Sequence, residues 1–239
     1  MQHIIILVNS FMLHKTRGIV INYIKYRETS IIVKIYTEEF GIQTYIENGV
    51  RSAKSKNKIA LFQPLTLLDL VVYHRDTGDI FRISEIKCYT PFQTLPYHFV
   101  KSGIAMFMTE VLNKTMKEET LNYDMFQFLL ASILYLDHQE KGYENFPIQF
   151  LLKLSRYLGF APQKSDEILD QVGAIRIYAA TDEEKQALDS LIVNRYDEYV
   201  TMSNTIRRQI LEYVLRFYSL HVENFGEVRS LQILKEIMS

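Results

Sequence analysis

The hydrophobic period of this chain changes at Pro91 and Pro96, and that change limits the fold to a β unit followed by an α unit. From Thr16 to about Tyr89, β-branched and aromatic runs alternate with turn signals, the pattern of strands with one buried face. Ile19, Ile21 and Tyr23 share a face of the first run, Ile31, Val33 and Ile35 a face of the second, and Ile42, Thr44 and Ile46 a face of the third. The breaks are YRETS at Tyr26 to Ser30, TEEFG at Thr37 to Gly41, and the Asn48-Gly49 pair. Leu65 to Tyr73 and Ile80 to Tyr89 add two runs around a DTGD turn at Asp76 to Asp79. Five strands with no helical pattern to cover a flat sheet are best satisfied by closing into a small barrel, which leaves no open edge.

An oligonucleotide/oligosaccharide-binding (OB) barrel is the first candidate, with an SH3-like barrel as an alternative that periodicity does not separate. Beyond Pro96 the apolar residues recur at helical spacing over Phe99 to Lys117, Tyr123 to His138 and Asn145 to Phe160. Asn145 is placed to cap the last of these, Pro147 fits its first turn and Gly159 can end it. Ala161 to Ala180 is poorly patterned apart from the strand-like AIRIY. Thr181 caps DEEKQALDSLI, Ser203 caps Asn204 to Val222, and Glu227 to Met238 forms a last helix. The fold class is therefore α+β and multidomain: an OB-fold barrel over 12–90, then an all-α domain over 91–239 with an irregular, cysteine-free insert near 161–180. Met1 to Phe11 reads as an N-terminal extension that frays, or as a start placed upstream of Met12.

The net charge of -1 hides an asymmetry: residues 1–98 carry 12 Lys/Arg against 8 Asp/Glu, and residues 99–239 carry 15 against 20. A basic first part and an acidic second part point to different partners. The excess concentrates in Gly49 to Lys58, GVRSAKSKNK, where Arg51, Lys54, Lys56 and Lys58 stand among small polar residues with no acid. Such a ribbon offers a polyanion a docking surface; the plain alternative is a solvated loop. Lys15, Arg17, Lys25, Arg27 and Lys34 extend the positive charge, and Tyr23, Tyr26, Tyr36 and Tyr45 are interleaved with it. Single strands are held by a cationic groove with aromatic faces on which bases stack. Tyr23 shares a face with Ile19 and Ile21 and belongs to the core, whereas Tyr45 shares its face with Gln43 and Glu47 and is expected to be exposed.

Catalytic patterns are absent: there is no GxSxG, P-loop, HExxH or GxGxxG, and the six histidines have no ligand spacing. Asp76, Asp79 and Glu85 could gather Mg²⁺ for a nuclease, but aspartates in a DTGD turn are favoured for backbone reasons. Cys88 is the one cysteine, which rules out an internal disulfide and fits a reducing cytoplasm, with the thiol expected as a small core residue. HIIILV at His3 to Val8 lacks the features of a secretory leader, and no segment reaches the length of a membrane span.

The order of these pieces resembles the RecO recombination mediator family of bacteria, most like versions from the Bacteroidetes. The resemblance lies in HKTRGIVINYIKYRETSIIVKIYTEEFGIQTYIENGVRSAKSK, LFQPLTLLDL, TEVLNK, FLLKLSRYLGFAP and RRQILEYVLRFYSLHVENFGEVRSLQILKEI. It implies an OB barrel with a helical domain, and a non-enzymatic protein that binds single- and double-stranded DNA and anneals complementary strands. Its implied partners are RecR, the acidic, phenylalanine-terminated tail of single-stranded DNA-binding protein, and RecA indirectly, in the cytoplasm at the nucleoid. DNA binding carries over to the GVRSAKSK segment and to Arg17, Lys25, Arg27 and Lys34. Arg156, Arg207 and Arg208 are candidates for the partner's tail by charge and position. Many family members have a four-cysteine zinc module after LGFAP; Gln163 to Thr181 contains no cysteine, so no zinc and no other cofactor is expected. A protein-interaction scaffold remains the alternative function, and a metal-dependent nuclease a further one.

Overall fold

The structure, a computed structural model, describes residues 12–52, 55, 58–75, 78–116, 121–173 and 179–237. The expected N-terminal extension, Lys54, Lys56, Asp76 and the AIRIY run lie outside the described residues. Two compact units are present, one of Met1–Pro91 with Lys117–Phe126 and one of Phe92–Met116 with Gln127–Ser239.

The first unit holds β1 (Met12–Tyr26), β2 (Ser30–Thr37), β3 (Gly41–Glu47), β4 (Leu67–His74) and β5 (Phe81–Cys88), closed as a barrel in the order β1-β2-β3-β5-β4. β3 and β5 run parallel, with Tyr45 opposite Phe81 and Ile46 opposite Arg82, while every other pair is antiparallel. This is the OB arrangement, and it sets aside the SH3-like alternative. β1 closes the ring because its first half pairs with β4 and its second half with β2. Gly18 lies where these two pairings meet, and a Cβ there would stand 2.7 Å from Ile35 Cγ2 and 2.8 Å from Leu70 Cδ1. Only a hydrogen fits at that crossing.

A bulge between Val20 and Asn22 shifts the pairing of β1 and exchanges its two faces. Val20 before it and Tyr23 after it therefore pack on the barrel core, although they differ in parity. The expected alternation of Ile19, Ile21 and Tyr23 is corrected accordingly, with Ile19 and Ile21 buried outside that cluster. The core itself joins Val20, Ile31, Val33, Ile35, Tyr45, Val50, Phe62, Leu68, Leu70, Val72 and Phe81.

Among the described residues there are seven α-helices, most of them in the second unit: α1 (Phe99–Thr115), α2 (Tyr123–His138), α3 (Phe146–Tyr157), α4 (Ser165–Val172), α5 (Asp182–Val193), α6 (Asn204–His221) and α7 (Ser230–Ile237). Phe107, Phe150, Leu154, Ile210, Val214 and Phe217 are fully or almost fully buried, as their helical stripes require. Thr181 and Glu184 form a reciprocal capping box on α5, and Ser203 accepts from the Ile206 N–H on α6. Pro147 sits in the first turn of α3, and Gly159 with φ 86° follows its end. Two expectations are corrected. The insert near 161–180, read as irregular, contains α4, and the last helix begins at Ser230 rather than Glu227. Among the described residues no helix is long and apolar enough to cross a membrane.

Candidate nucleic-acid interface

The turn between β1 and β2 is tied to the start of the basic ribbon. The Arg51 N–H donates to the Thr29 carbonyl at 2.9 Å, Arg51 Nη1 donates to the Arg27 carbonyl at 3.1 Å, and Ser30 Oγ bonds Asn48 Oδ1 at 2.9 Å. Arg27 itself adopts φ 49°, a left-handed conformation that non-glycine residues visit rarely. Gly49, at φ 73° with nothing near its would-be Cβ, bends the chain out of β3 toward Arg51. These bonds bring Lys25, Arg27 and Arg51 to one end of the barrel with their side chains exposed. One acid, Glu28, is exposed in the same turn.

Two other cations expected on this surface, Lys58 and Arg17, are occupied within the fold. Lys58 was expected on an unpaired ribbon, but its Nζ meets Glu47 Oε1 at 2.5 Å, on a 3-10 turn (Lys58–Phe62) whose Phe62 is inserted in the barrel core. Arg17 makes a bidentate pair with Glu38, Nε to Oε2 at 2.7 Å and Nη2 to Oε1 at 2.5 Å. The Glu38 hydrogen bond raises the guanidinium pKa further, against the opposing effect of burial. Arg17 is also eight residues from Lys25 along β1, about 26 Å at strand rise, so it lies away from the hairpin tip. Lys34 stands between the two, half-buried and opposite Asn22 and Thr44.

Tyr45 is a correction. Expected to be an exposed stacking face, it is fully buried in the barrel core. The reason is register: Tyr45 lies opposite Val33, Gln43 opposite Ile35 and Glu47 opposite Ile31, and residues directly opposite each other share a face. The polar pair that made this face look external satisfies itself locally, Gln43 Nε2 donating to the Phe40 carbonyl at 2.8 Å and Glu47 pairing with Lys58. Cys88, expected in the core, is exposed at the end of β5.

Two residues at this surface are not among the site residues expected from the sequence, although Tyr26 is among the tyrosines interleaved with the charge. Arg82 reaches it through the parallel pairing of Ile46 with Arg82, a juxtaposition with no local signal because the partners are distant in the chain. Tyr26 carried a signal, a tyrosine between Lys25 and Arg27, but nothing in the alternation set it apart from its neighbours. Among the described residues no three His, Cys, Asp or Glu side chains gather as a metal-holding group.

In the helical unit Arg207 and Arg208 line a shallow depression with Glu144, Pro147, Ile148, Asn204, Leu211, Leu234 and Lys235, whereas Arg156 is exposed on α3 and is not part of it. Arg207 is buried, with Nε on Asn145 Oδ1 at 2.9 Å and Nη1 on Asn204 Oδ1 at 2.5 Å. Arg208 is exposed and donates to the Lys235 carbonyl at 3.2 Å, while Lys235 pairs with Glu212. The depression has a volume of about 20 Å³, little more than a single water needs.

Residues 12–92 match the family described as recombination protein O N terminal, and residues 97–170 match recombination protein O C terminal. A protein of Phocaeicola vulgatus named DNA repair protein RecO is 36% identical over 241 residues, covering 95% of this chain and 100% of the relative. The protein of the same name from Flavobacterium johnsoniae is 36% identical over 94% of this chain and 99% of its own length. That from Bacteroides fragilis is 35% identical over 95% and 99%.

Proposed function

This chain belongs to the RecO family of DNA repair proteins, and from that membership we propose that it is a cytoplasmic, nucleoid-associated DNA-binding mediator of recombinational repair with no catalysis of its own. It binds and anneals single strands, binds duplex DNA as well, and works with RecR to place RecA on DNA coated with single-stranded DNA-binding protein. The observation that carries this reading is the gathering of exposed Lys25, Arg27 and Arg51 at one end of the barrel. Lys54 and Lys56 stand three and five positions after Arg51 in the sequence, which continues the run of cations along the chain. Cations so placed neutralise phosphates without reading bases, which suits a protein that accepts any sequence.

For the acidic tail of single-stranded DNA-binding protein we propose the depression beside α3, α6 and α7. Arg208 supplies the charge for the tail's acids, since Arg207 is occupied by Asn145 and Asn204. A phenyl ring exceeds the 20 Å³ present, so the tail's terminal residue enters as Leu234 and its helix yield.

The test is fluorescence anisotropy with labelled single-stranded DNA across a salt series. A Lys25/Arg27/Arg51→Ala triple variant should lower the log–log salt slope by about 2, at about 0.7 per phosphate contact on single strands. Between 50 and 200 mM salt the natural protein then loses roughly twentyfold more affinity than the variant. Arg17→Ala, whose cation is held by Glu38, should leave the slope unchanged. A triple variant with undiminished affinity and slope rejects the barrel tip as the DNA site. A natural protein with no salt-dependent binding returns the chain to the scaffold reading, and DNA cleavage with Mg²⁺ to the nuclease.

A further inference from the structure

The barrel wall of β1, β2 and β3 has an outer face opposite its core. In β2 and β3 the residues that alternate with core positions Ile31, Val33 and Tyr45 are Ile32, Lys34, Thr44 and Ile46; in β1 beyond the bulge, those alternating with Tyr23 are Asn22, Ile24 and Tyr26. The register aligns them in rows: Asn22, Lys34 and Thr44; then Ile24, Ile32, Ile46 and Arg82; then Tyr26 beside Ser30. Successive rows are two residues apart, about 7 Å. Ile24 is 61% exposed, and Ile32 and Ile46 are half-buried beside it. Among the described residues Tyr26 is the one aromatic of these three rows. The Arg27 guanidinium carbon lies 5.1 Å from its ring centroid, and Arg51 is bonded to the Arg27 carbonyl.

We propose that Tyr26 is the base-stacking position of this barrel, taking one unpaired nucleobase, with the next base against the Ile24, Ile32 and Ile46 row and the intervening phosphates met by Arg27, Arg51 and Lys34. The proposal rests on the DNA-binding reading above and adds to it the part of the strand that is recognised. Stacking on an aromatic face tolerates any base, because every base has a π-face, and an adjacent guanidinium adds a cation–π contribution. One stacking position, rather than an array, holds a strand while leaving the pairing edges of most bases open to a complementary strand. Duplex DNA keeps its bases stacked inside, so it meets this face through phosphates alone.

The experiment measures anisotropy of three probes at one salt concentration: an oligothymidylate, an abasic strand of equal length and a duplex. Tyr26→Leu should weaken oligothymidylate binding by about 5- to 150-fold, the equivalent of one lost stacking contact. It should leave abasic-strand and duplex binding within about twofold of the natural protein, which also shows that the variant is folded. Tyr26→Phe should retain oligothymidylate affinity. A Tyr26→Leu variant that holds oligothymidylate undiminished, or that loses all three probes alike, overturns the stacking position while the DNA reading stands. A natural protein that binds none of the probes overturns both.

Discussion

In the helical unit Asp137 is fully buried and accepts hydrogen bonds from the N–H groups of Gln93 at 2.9 Å, Thr94 at 2.9 Å and Leu95 at 2.7 Å. At the tip of the barrel Lys25, Arg27 and Arg51 stand exposed. The Asp137 carboxylate replaces backbone partners that a loop entering a helix would otherwise lack. Burial pushes its pKa up, but the three N–H groups outweigh that and bring it below the ordinary carboxylate value. Lys101, also buried, donates to Thr94 Oγ1 at 2.6 Å and to the Asp137 carbonyl at 2.8 Å, and burial pulls its pKa down despite nearby Asp137. The contrast separates charges occupied by the fold from charges left to a ligand, a distinction that a count of Lys, Arg, Asp and Glu does not make.

The sharpest way to break the contrast is Asp137→Ala. Three N–H groups then lose their acceptor together and the buried Lys101 ammonium loses a nearby countercharge, though it keeps the Asp137 main-chain carbonyl. The loss should be about 3–5 kcal/mol, as for breaking other buried charged networks. Urea unfolding would measure it. The salt slope of DNA binding, taken where the variant is folded, should not move. A loss under about 1 kcal/mol, or a changed slope, would remove the division between occupied and available charge.

Glu110 gives a smaller effect and a pH signature. Its carboxylate accepts from the N–H groups of Arg229 and Ser230, each at 2.8 Å, and from Ser230 Oγ at 2.7 Å, so a side chain of α1 completes the N-terminus of α7. Burial raises its pKa, while these bonds and Lys114 bring it below the ordinary value. A lowered folded-state pKa means that the contribution is present above the unfolded pKa and disappears as pH falls through the folded one. Glu110→Gln should cost about 1–2 kcal/mol at neutral pH and speed hydrogen exchange of the α7 amides. It should also remove this part of the acid dependence. A variant whose acid unfolding matched the natural protein's would show that Glu110 does not hold α7.

The elements whose signals are local were legible in the sequence. The capping box at Thr181 and Glu184, Pro147 in the first turn of α3 and the five strand runs each depend on residues a few positions apart. What escaped depends on pairing between distant segments. The β1 bulge inverts a face without any change in residue type, and the register of β3 against β2 turns Gln43, Tyr45 and Glu47 inward although two of the three are polar. The candidate site was legible in part for the same reason. Arg27 and Arg51 could be named from charge, but that Arg51 folds back on the 27–29 turn, that Lys58 is held by Glu47 and that Arg82 joins the face are consequences of closure.

Tyr45 tests the comparison at its smallest scale, because its hydroxyl is neither occupied nor available. The side chain has no exposed surface, the hydroxyl oxygen has no hydrogen-bond partner among the described residues, and burial drives its pKa far above the ordinary phenol value. A buried hydroxyl without a partner carries its desolvation cost with no compensating bond. Removing the oxygen while keeping the ring should therefore stabilise the barrel, by up to about 1 kcal/mol. In urea, Tyr45→Phe should raise the unfolding midpoint with an unchanged slope, the sign of a native-state gain rather than a change in the surface exposed. Binding of single-stranded DNA should match the natural protein in affinity and salt slope, since the ring lies on the inner face with Val33 and Phe81. A midpoint that falls would mean that the hydroxyl has a partner after all. Weakened DNA binding would mean that β3 presents its other face to solvent, and with it Ile32 and Ile46 would leave the proposed path of the strand.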